Sequence, residues 1–352
     1  MSIGVNILAP WVHDRARMYG WLAEAKPGLI VVCDEPDVAA RCKMAAPGAL
    51  VAHRWFYEGD SNVGTLSPPA WAARFLPALP DGIAGYALNE PSDDWRAIST
   101  WCAAVMSLAG AQHKPLIVGN LAVGKPEVEA IAAGEFDELL LAFADWPIHR
   151  FGLHEYWQSN PTAEPFRVGR YKALKERARQ IGAYGVRFAM TEAGRDVRGA
   201  ATDGWQSVMS ADEYAKKLTQ QAAVYEADDI DMAVFCYGTG GAGAWRSFDI
   251  QDSPPVLGAI TAYNAGESKG TDDMAPPGYA QVKTGPKGVN VRSGPGLRYT
   301  PLAVAKTGDW AKRLPGGAIT ADGYVWAQIA LDQTATTHLH GWVALSVIVL
   351  GD

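Results

Sequence analysis

Along the first 263 residues, short β-branched apolar runs alternate with longer segments whose apolar positions recur at helical spacing. That is the pattern of parallel strands joined by crossover helices. Strand-like runs fall at 3–8, 29–33, 50–53, 83–89, 116–119, 150–156, 186–191 and 232–237. Helical patterns follow at about 13–26, 37–46, 68–78, 92–111, 126–143, 165–183, 210–227 and 255–263. Pro68-Pro69, Ser92-Asp93-Asp94, Lys125-Pro126 and Ser210-Ala211-Asp212-Glu213 supply helix-entry chemistry. Eight such units in about 260 residues predict an α/β fold, a (β/α)8 TIM barrel spanning 1–263. Residues 264–278 have almost nothing to bury and predict a linker. Beyond it, 279–352 carries short alternating runs between Gly, Pro and Asp turns, which predicts a small all-β domain.

Charge narrows the classes of function. The chain has 352 residues with 31 basic and 38 acidic side chains, a formal net charge of −7. Such a balance argues against nucleic-acid binding, which needs a basic surface to displace phosphate counterions. The excess is uneven: 279–352 holds seven basic and four acidic residues, a formal +3, and the preceding 278 residues carry a formal −10. No run of about 18 uninterrupted apolar residues occurs, so no membrane span is expected. No basic residue precedes the apolar run at 3–8, unlike a secretion signal. A cytoplasmic location, release by lysis, or another export route all stay open. Cys33, Cys42, Cys102 and Cys236 lie at no metal-ligand or redox spacing and are expected to be buried free thiols. With no His-Glu-x-x-His pattern and no Gly-rich phosphate loop, no metal or cofactor is implied.

In a (β/α)8 barrel the chemistry lies where strands end and βα loops begin. The fourth strand ends Gly85-Tyr86-Ala87-Leu88-Asn89-Glu90-Pro91, and the seventh ends Phe188-Ala189-Met190-Thr191-Glu192-Ala193-Gly194. A carboxylate at the lip of an apolar strand is costly unless solvated or paired, so two of them converging suggest a site holding both together. Glycoside hydrolysis requires such a pair: an acid to protonate the leaving oxygen and a carboxylate to meet the anomeric carbon. Glu90 alone can also be read as an N-terminal capping group for the helix after Pro91-Ser92-Asp93.

Asn-Glu-Pro on the fourth strand and Thr-Glu-x-Gly on the seventh resemble the signatures of retaining glycoside hydrolases of clan A, the 4/7 barrel superfamily. The resemblance implies that Glu90 is the acid/base and Glu192 the nucleophile. It also implies that Asn89 hydrogen-bonds the sugar 2-hydroxyl and that Tyr156 donates to the nucleophile. The sixth strand ends Phe151-Gly152-Leu153-His154-Glu155-Tyr156-Trp157, so alternation puts His154 and Tyr156 on one face and Glu155 on the other. His154 is then a subsite residue, and a slip of one residue would instead aim Glu155 inward. His53 and Arg54 close the third strand and are candidates for contacts to sugar or nucleophile. Asp34 and Glu35 close the second, where helix entry is an equal reading. Aromatic residues cluster near strand ends: Trp11, Trp55, Phe56, Tyr57, Trp157, Trp205, Tyr237 and Trp245. Pyranose rings present apolar faces, and Trp245, after the last strand, is the one expected to act as a sugar platform.

Gly288-Val289-Asn290-Val291-Arg292-Ser293-Gly294-Pro295-Gly296, with Asp309-Trp310, Tyr324-Val325-Trp326-Ala327-Gln328-Ile329 and His340-Gly341-Trp342-Val343, is similar to bacterial Src-homology-3-like domains. That resemblance implies a small β-barrel that tethers enzymes to cell wall, a role its positive charge permits. A packing module that binds nothing is the alternative. Together these readings predict a retaining glycosidase acting on a β-linked polysaccharide, with a wall- or glycan-binding module. Two alternatives are a peptidoglycan-degrading lysin of the same fold and a catalytically silent glycan-binding phage or surface protein.

Overall fold

The structure is a computed structural model. It describes residues 2–57, 59–91, 94–162, 167–198, 202–238, 245–266, 280–283, 289–305, 310–314, 319–334, 337–344 and 349–350. The chain divides into two compact units, Met1–Gly270 and Thr271–Asp352.

The first unit is a closed barrel of eight parallel strands in sequential order. They are β1 (Ile3–Leu8), β2 (Leu29–Cys33), β3 (Leu50–Arg54), β4 (Ala84–Ala87), β5 (Leu116–Leu121), β6 (Arg150–Trp157), β7 (Phe188–Arg195) and β8 (Asp231–Tyr237). β8 pairs with β1 to complete the ring. Period-two alternation explains why these segments close. Leu29, Val31, Ala52, Ala84, Tyr86, Ile117, Ala189 and Ala233 fill the interior, while Ile30, Val32, Val51, Val118, Met190 and Val234 join the larger core beneath the helices.

The helices are α1 (Arg15–Ala25), α2 (Pro36–Ala45), α3 (Pro68–Phe75), α4 (Trp95–Gly110), α5 (Val128–Ala132), α6 (Asp137–Asp145), α7 (Arg170–Gln180), α8 (Ala211–Ala227) and α9 (Pro254–Ala265). Local chemistry starts several of them: Asp94 and Ser210 accept from the Ala97 and Glu213 amides, capping α4 and α8. The segment expected as one helix over 126–143 is two, broken where Gly134 takes φ +77°. α9 continues through Ala265, two residues into the expected linker; 267–279 lie outside the described residues. All four cysteines are buried and free.

Two irregularities place the site. β7 runs on to Arg195 instead of ending at Thr191, and its pairing with both neighbours slips around Thr191 and Glu192. The extra residue lets Thr191 and Glu192 both turn inward, while Met190 and Ala193 face the helices. After β4, Leu88 and Glu90 adopt left-handed φ of 63° and 47°. This turn is held from β5: Glu90 N–H donates to the Asn120 carbonyl at 3.0 Å, and Asn120 Nδ2 donates to the carbonyls of Leu88 at 3.0 Å and Ala87 at 3.2 Å.

The second unit is an antiparallel sheet. Its strands are β9 (Ala280–Lys283), β10 (Val289–Arg292), β11 (Pro301–Ala305), β12 (Trp310–Arg313), β13 (Ile319–Ala321), β14 (Tyr324–Thr334), β15 (Thr337–Ala344) and β16 (Val349–Leu350). They follow the order β11-β10-β15-β14-β12-β9-β16, with β13 beside β14. Val291, Trp326, Ile329 and Val343 are buried in it. β10 runs into a turn closed by Arg292, which donates to the carbonyls of Tyr299 and Leu297, and by Asp322, which accepts from the Leu297 amide. Gly288 and Asp309 lie outside the described residues.

Candidate active site

A cavity of about 690 Å³ opens at the C-terminal end of the barrel strands, lined by residues at the end of, or just after, every strand except β2. Glu90 and Glu192 both line it. Glu192 is held deep, its side chain 11% exposed, whereas the Glu90 side chain is 48% exposed.

Glu192 is gripped by three side chains from two strands, β3 and β6. Tyr156 Oη donates to its Oε2 at 2.9 Å, Arg54 Nη1 lies 3.6 Å from its Oε1, and His154 Nδ1 lies 3.5 Å from its Oε2. Burial, and then the neighbouring Glu192 charge, push the Tyr156 hydroxyl well above its ordinary pKa, so it remains a donor. Arg54 is itself fixed by Asp60 at 3.3 Å and lies over the Phe56 ring at 4.1 Å.

Glu90 is tied to the same imidazole. His154 Nδ1 lies 3.1 Å from Glu90 Oε1, so one ring nitrogen stands between the two carboxylates. Their nearest oxygens are therefore no farther apart than the sum of the two contacts, a bound that admits the separation of about 5–5.5 Å used in retaining hydrolysis. The hydrogen bond from His154 lowers the Glu90 pKa, against the effect of partial burial.

His154, expected as a subsite residue, has no exposed side-chain surface and lies behind the cavity wall, with Nδ1 facing the two carboxylates. Its Nε2 lies 3.0 Å from the Tyr86 hydroxyl, which also donates to Asn89 Oδ1 at 2.9 Å. Because that oxygen is taken, Asn89 has its amide N–H groups left to offer the cavity it lines.

His53 is a correction to the sequence expectation. Its side chain alternates with Arg54 and points toward the helices, stacked edge-on against Trp55 with centroids 4.4 Å apart. It is fully buried, does not line the cavity, and burial lowers its pKa to about 4. Glu155 likewise points outward. It accepts from the Gly169 and Tyr171 amides at the start of α7 and from Tyr225 Oη at 2.7 Å, with burial raising its pKa. Asp34 accepts from the Phe56 amide and Glu35 pairs with Arg15; neither lines the cavity.

Trp245 lines the cavity with 40% of its surface exposed, braced edge-on by Phe235 and Phe248. Trp11 and Phe56 also reach it, 44% and 46% exposed. Trp157, Trp205 and Tyr237 are buried in the core, and Trp55 and Tyr57 pack on Phe75.

Several contributors went unread in the sequence. Tyr86, Asn120 and Thr191 form an inner polar layer beneath the carboxylates, Thr191 Oγ1 donating to Asn120 Oδ1 at 3.1 Å. Tyr86 shares the inward face of β4 with Ala84, a signal that strand alternation carries. Asn120 sits at the end of the fifth strand, in the window where polar residues are informative. Arg167 and Asp196, 3.6 Å apart, add a charged pair to the cavity wall. Among the described residues no group of three or more His, Cys, Asp or Glu side chains could hold a metal ion, and no helix is long and apolar enough to cross a membrane.

No protein-family model and no curated protein matches this chain. Solved structures similar to it include a GH30 endoxylanase from Clostridium papyrosolvens C71, at 12% identity and TM-score 0.42 over 94% of this chain and 80% of that one. A glycoside hydrolase family 17 β-1,3-glucanosyltransferase from Rhizomucor miehei matches at 14% and 0.42 over 70% and 91%. A β-glucuronidase from Ruminococcus gnavus matches at 13% and 0.45 over 75% and 49%. At these identities and scores the likenesses say nothing about substrate.

Proposed function

We propose that the barrel is a retaining glycoside hydrolase acting on a β-linked glycan. The observation that carries this reading is that Glu90 and Glu192 both line a strand-end cavity with aromatic walls and meet on one imidazole nitrogen behind it. Their unequal settings support a division of roles. Glu192, buried and fixed by Tyr156 and Arg54, is the aimed nucleophile; Glu90, half-exposed, is the group with freedom to exchange protons with a leaving group and with water. Glu90 protonates the glycosidic oxygen as Glu192 bonds the anomeric carbon. Glu90 then takes a proton from the water that releases the sugar from Glu192. Asn89 donates to the 2-hydroxyl, a bond that tightens as positive charge develops on the ring, and Trp245 supports the sugar face. The C-terminal sheet is proposed as a module for cell wall or polysaccharide, on the strength of its sequence motif.

The test is incubation with a panel of aryl 2-deoxy-2-fluoro-β-glycosides, alongside hydrolysis assays on polysaccharides and purified peptidoglycan. One panel member is expected to inactivate the protein and add a glycosyl mass to the peptide containing Glu192. A label elsewhere, or no turnover of any glycan, would overturn the reading.

Two further results are expected. Tyr156→Phe removes a hydrogen bond to a charged oxygen and should lower kcat/KM about 10–100-fold without unfolding the chain, checked by kinetics beside a melting curve. At Gly152 an added Cβ would come 2.0 Å from Asn120 Oδ1, in the side chain that holds the Glu90 turn. Gly152→Ala should therefore displace Glu90 and reduce kcat about 10–100-fold, with a smaller effect on KM.

A further inference from the structure

The proton inventory around His154 does not close if each group is treated alone. Tyr86 has one proton and donates it to Asn89 Oδ1, so its oxygen receives the Nε2–H of His154. Burial holds the Tyr86 hydroxyl protonated. A neutral imidazole with its proton on Nε2 would present a bare lone pair at Nδ1 to two carboxylate oxygens, 3.1 and 3.5 Å away. That contact is repulsive unless one more proton occupies it. The groups that face this ring nitrogen are Glu90, from the turn after β4, and Glu192, from β7. Tyr86 from β4 faces the other nitrogen, and Arg54 from β3 and Tyr156 from β6 reach Glu192. Of the two carboxylates Glu90 is the nearer, at 3.1 Å against 3.5 Å, and the more exposed, which makes it the partner that shares the proton with the imidazole.

Resting on the hydrolase reading, we infer that His154 is the reservoir of the catalytic proton: the resting enzyme holds one proton between His154 Nδ1 and Glu90 Oε1, with Tyr86 and Asn89 fixing the ring so that Nδ1 is the nitrogen that gives and takes it. The proton passes from Nδ1 to Oε1, turning imidazolium and carboxylate into imidazole and carboxylic acid. Rotation of the Glu90 carboxyl then carries it to the leaving oxygen, which departs as a hydroxyl. In the second half, water gives a proton to the Glu90 carboxylate and its hydroxide to the anomeric carbon; the proton returns to Nδ1. The exposures fit this division, since the imidazole shows no surface while the Glu90 side chain is 48% exposed. The arrangement also answers a difficulty of a carboxyl whose pKa His154 lowers: it carries no proton of its own near neutrality, and the pair supplies one.

His154 is thus a positioning and proton-holding residue that acts through Glu90, and it is separable from a structural one by pH dependence. In His154→Gln, which keeps a hydrogen-bond donor but cannot store a proton, the alkaline limb of kcat/KM should lie at lower pH than in the wild type. Turnover of a glycan or a poor-leaving-group glycoside at pH 7 should fall about 100-fold and recover as the pH is lowered, with a much smaller loss for a dinitrophenyl glycoside. A uniform loss at every pH and for every leaving group would overturn the inference while leaving the hydrolase reading intact.

A readout independent of turnover is ring ¹⁵N NMR of the full chain labelled at histidine, with His154 assigned by its absence in His154→Gln. Nε2 should remain protonated throughout, and Nδ1 should lose its proton in a single step coincident with the kinetic limb. In Tyr86→Phe, which frees Nε2, a second tautomer should appear. If Nδ1 shows no titration, or the ring in Tyr86→Phe keeps one tautomer, the inference fails. If the NMR behaviour holds but no glycan is turned over, the hydrolase reading fails instead.

Discussion

Replacing Glu192 by alanine is expected to reduce glycan hydrolysis by about 10⁴-fold or more, because the nucleophile cannot be approximated by the groups around it. Tyr156 and Arg54 would be left aiming at an empty space. The loss should be specific in its rescue. Azide fits where the carboxylate stood and attacks the anomeric carbon from the same face while Glu90 still protonates the leaving group. The product of a β-glycoside should therefore be an α-glycosyl azide. Rescue yielding the β-azide, or an alanine variant with unchanged turnover, would remove Glu192 from the nucleophile's place.

The second large effect belongs to Glu90. Glu90→Ala should lower hydrolysis of natural glycans about 10³–10⁴-fold, since both protonation of the leaving oxygen and activation of water are lost. A dinitrophenyl glycoside, whose leaving group needs no proton, should still form the glycosyl-enzyme at close to the normal rate and then stall. A burst of dinitrophenol followed by a slow steady state is the expected trace in stopped-flow absorbance. Azide should remove the stall and give the β-azide, because it now attacks from the face Glu90 occupied. The opposite configurations from the two variants distinguish the two roles, which rate losses alone would not.

Much of this arrangement could be read from the sequence, and the gaps have identifiable causes. Barrel strands are buried on both faces, so their apolar runs stand out, and eight runs separated by helical periods leave few alternatives. Glu90, Arg54 and Tyr156 could be placed because each follows strand alternation or ends a strand. Glu192 was legible as a residue but not as an orientation: simple alternation from Ala189 would have turned it outward, and only the slip in β7 pairing aims it inward. His53 was over-read for the converse reason, since counting alternation back from Arg54 already puts it on the helix side. The left-handed turn at Glu90 was hidden as well, because nothing local to Leu88-Asn89-Glu90 specifies it; the carbonyl and side-chain amide of Asn120, thirty residues on, hold it in place. The helix break at Gly134 is not legible locally, because an isolated glycine in an apolar-periodic stretch is compatible with an unbroken helix.

The most direct test of the paired-carboxylate account is the configuration of the first-formed sugar, followed by ¹H NMR immediately after the wild-type protein is mixed with a β-glycan it cleaves. Retention is predicted: the β-anomer appears first and mutarotation to the equilibrium mixture follows. An α-anomer appearing first would mean a single displacement by water, and would contradict the assignment of Glu192 as a group that bonds to the sugar.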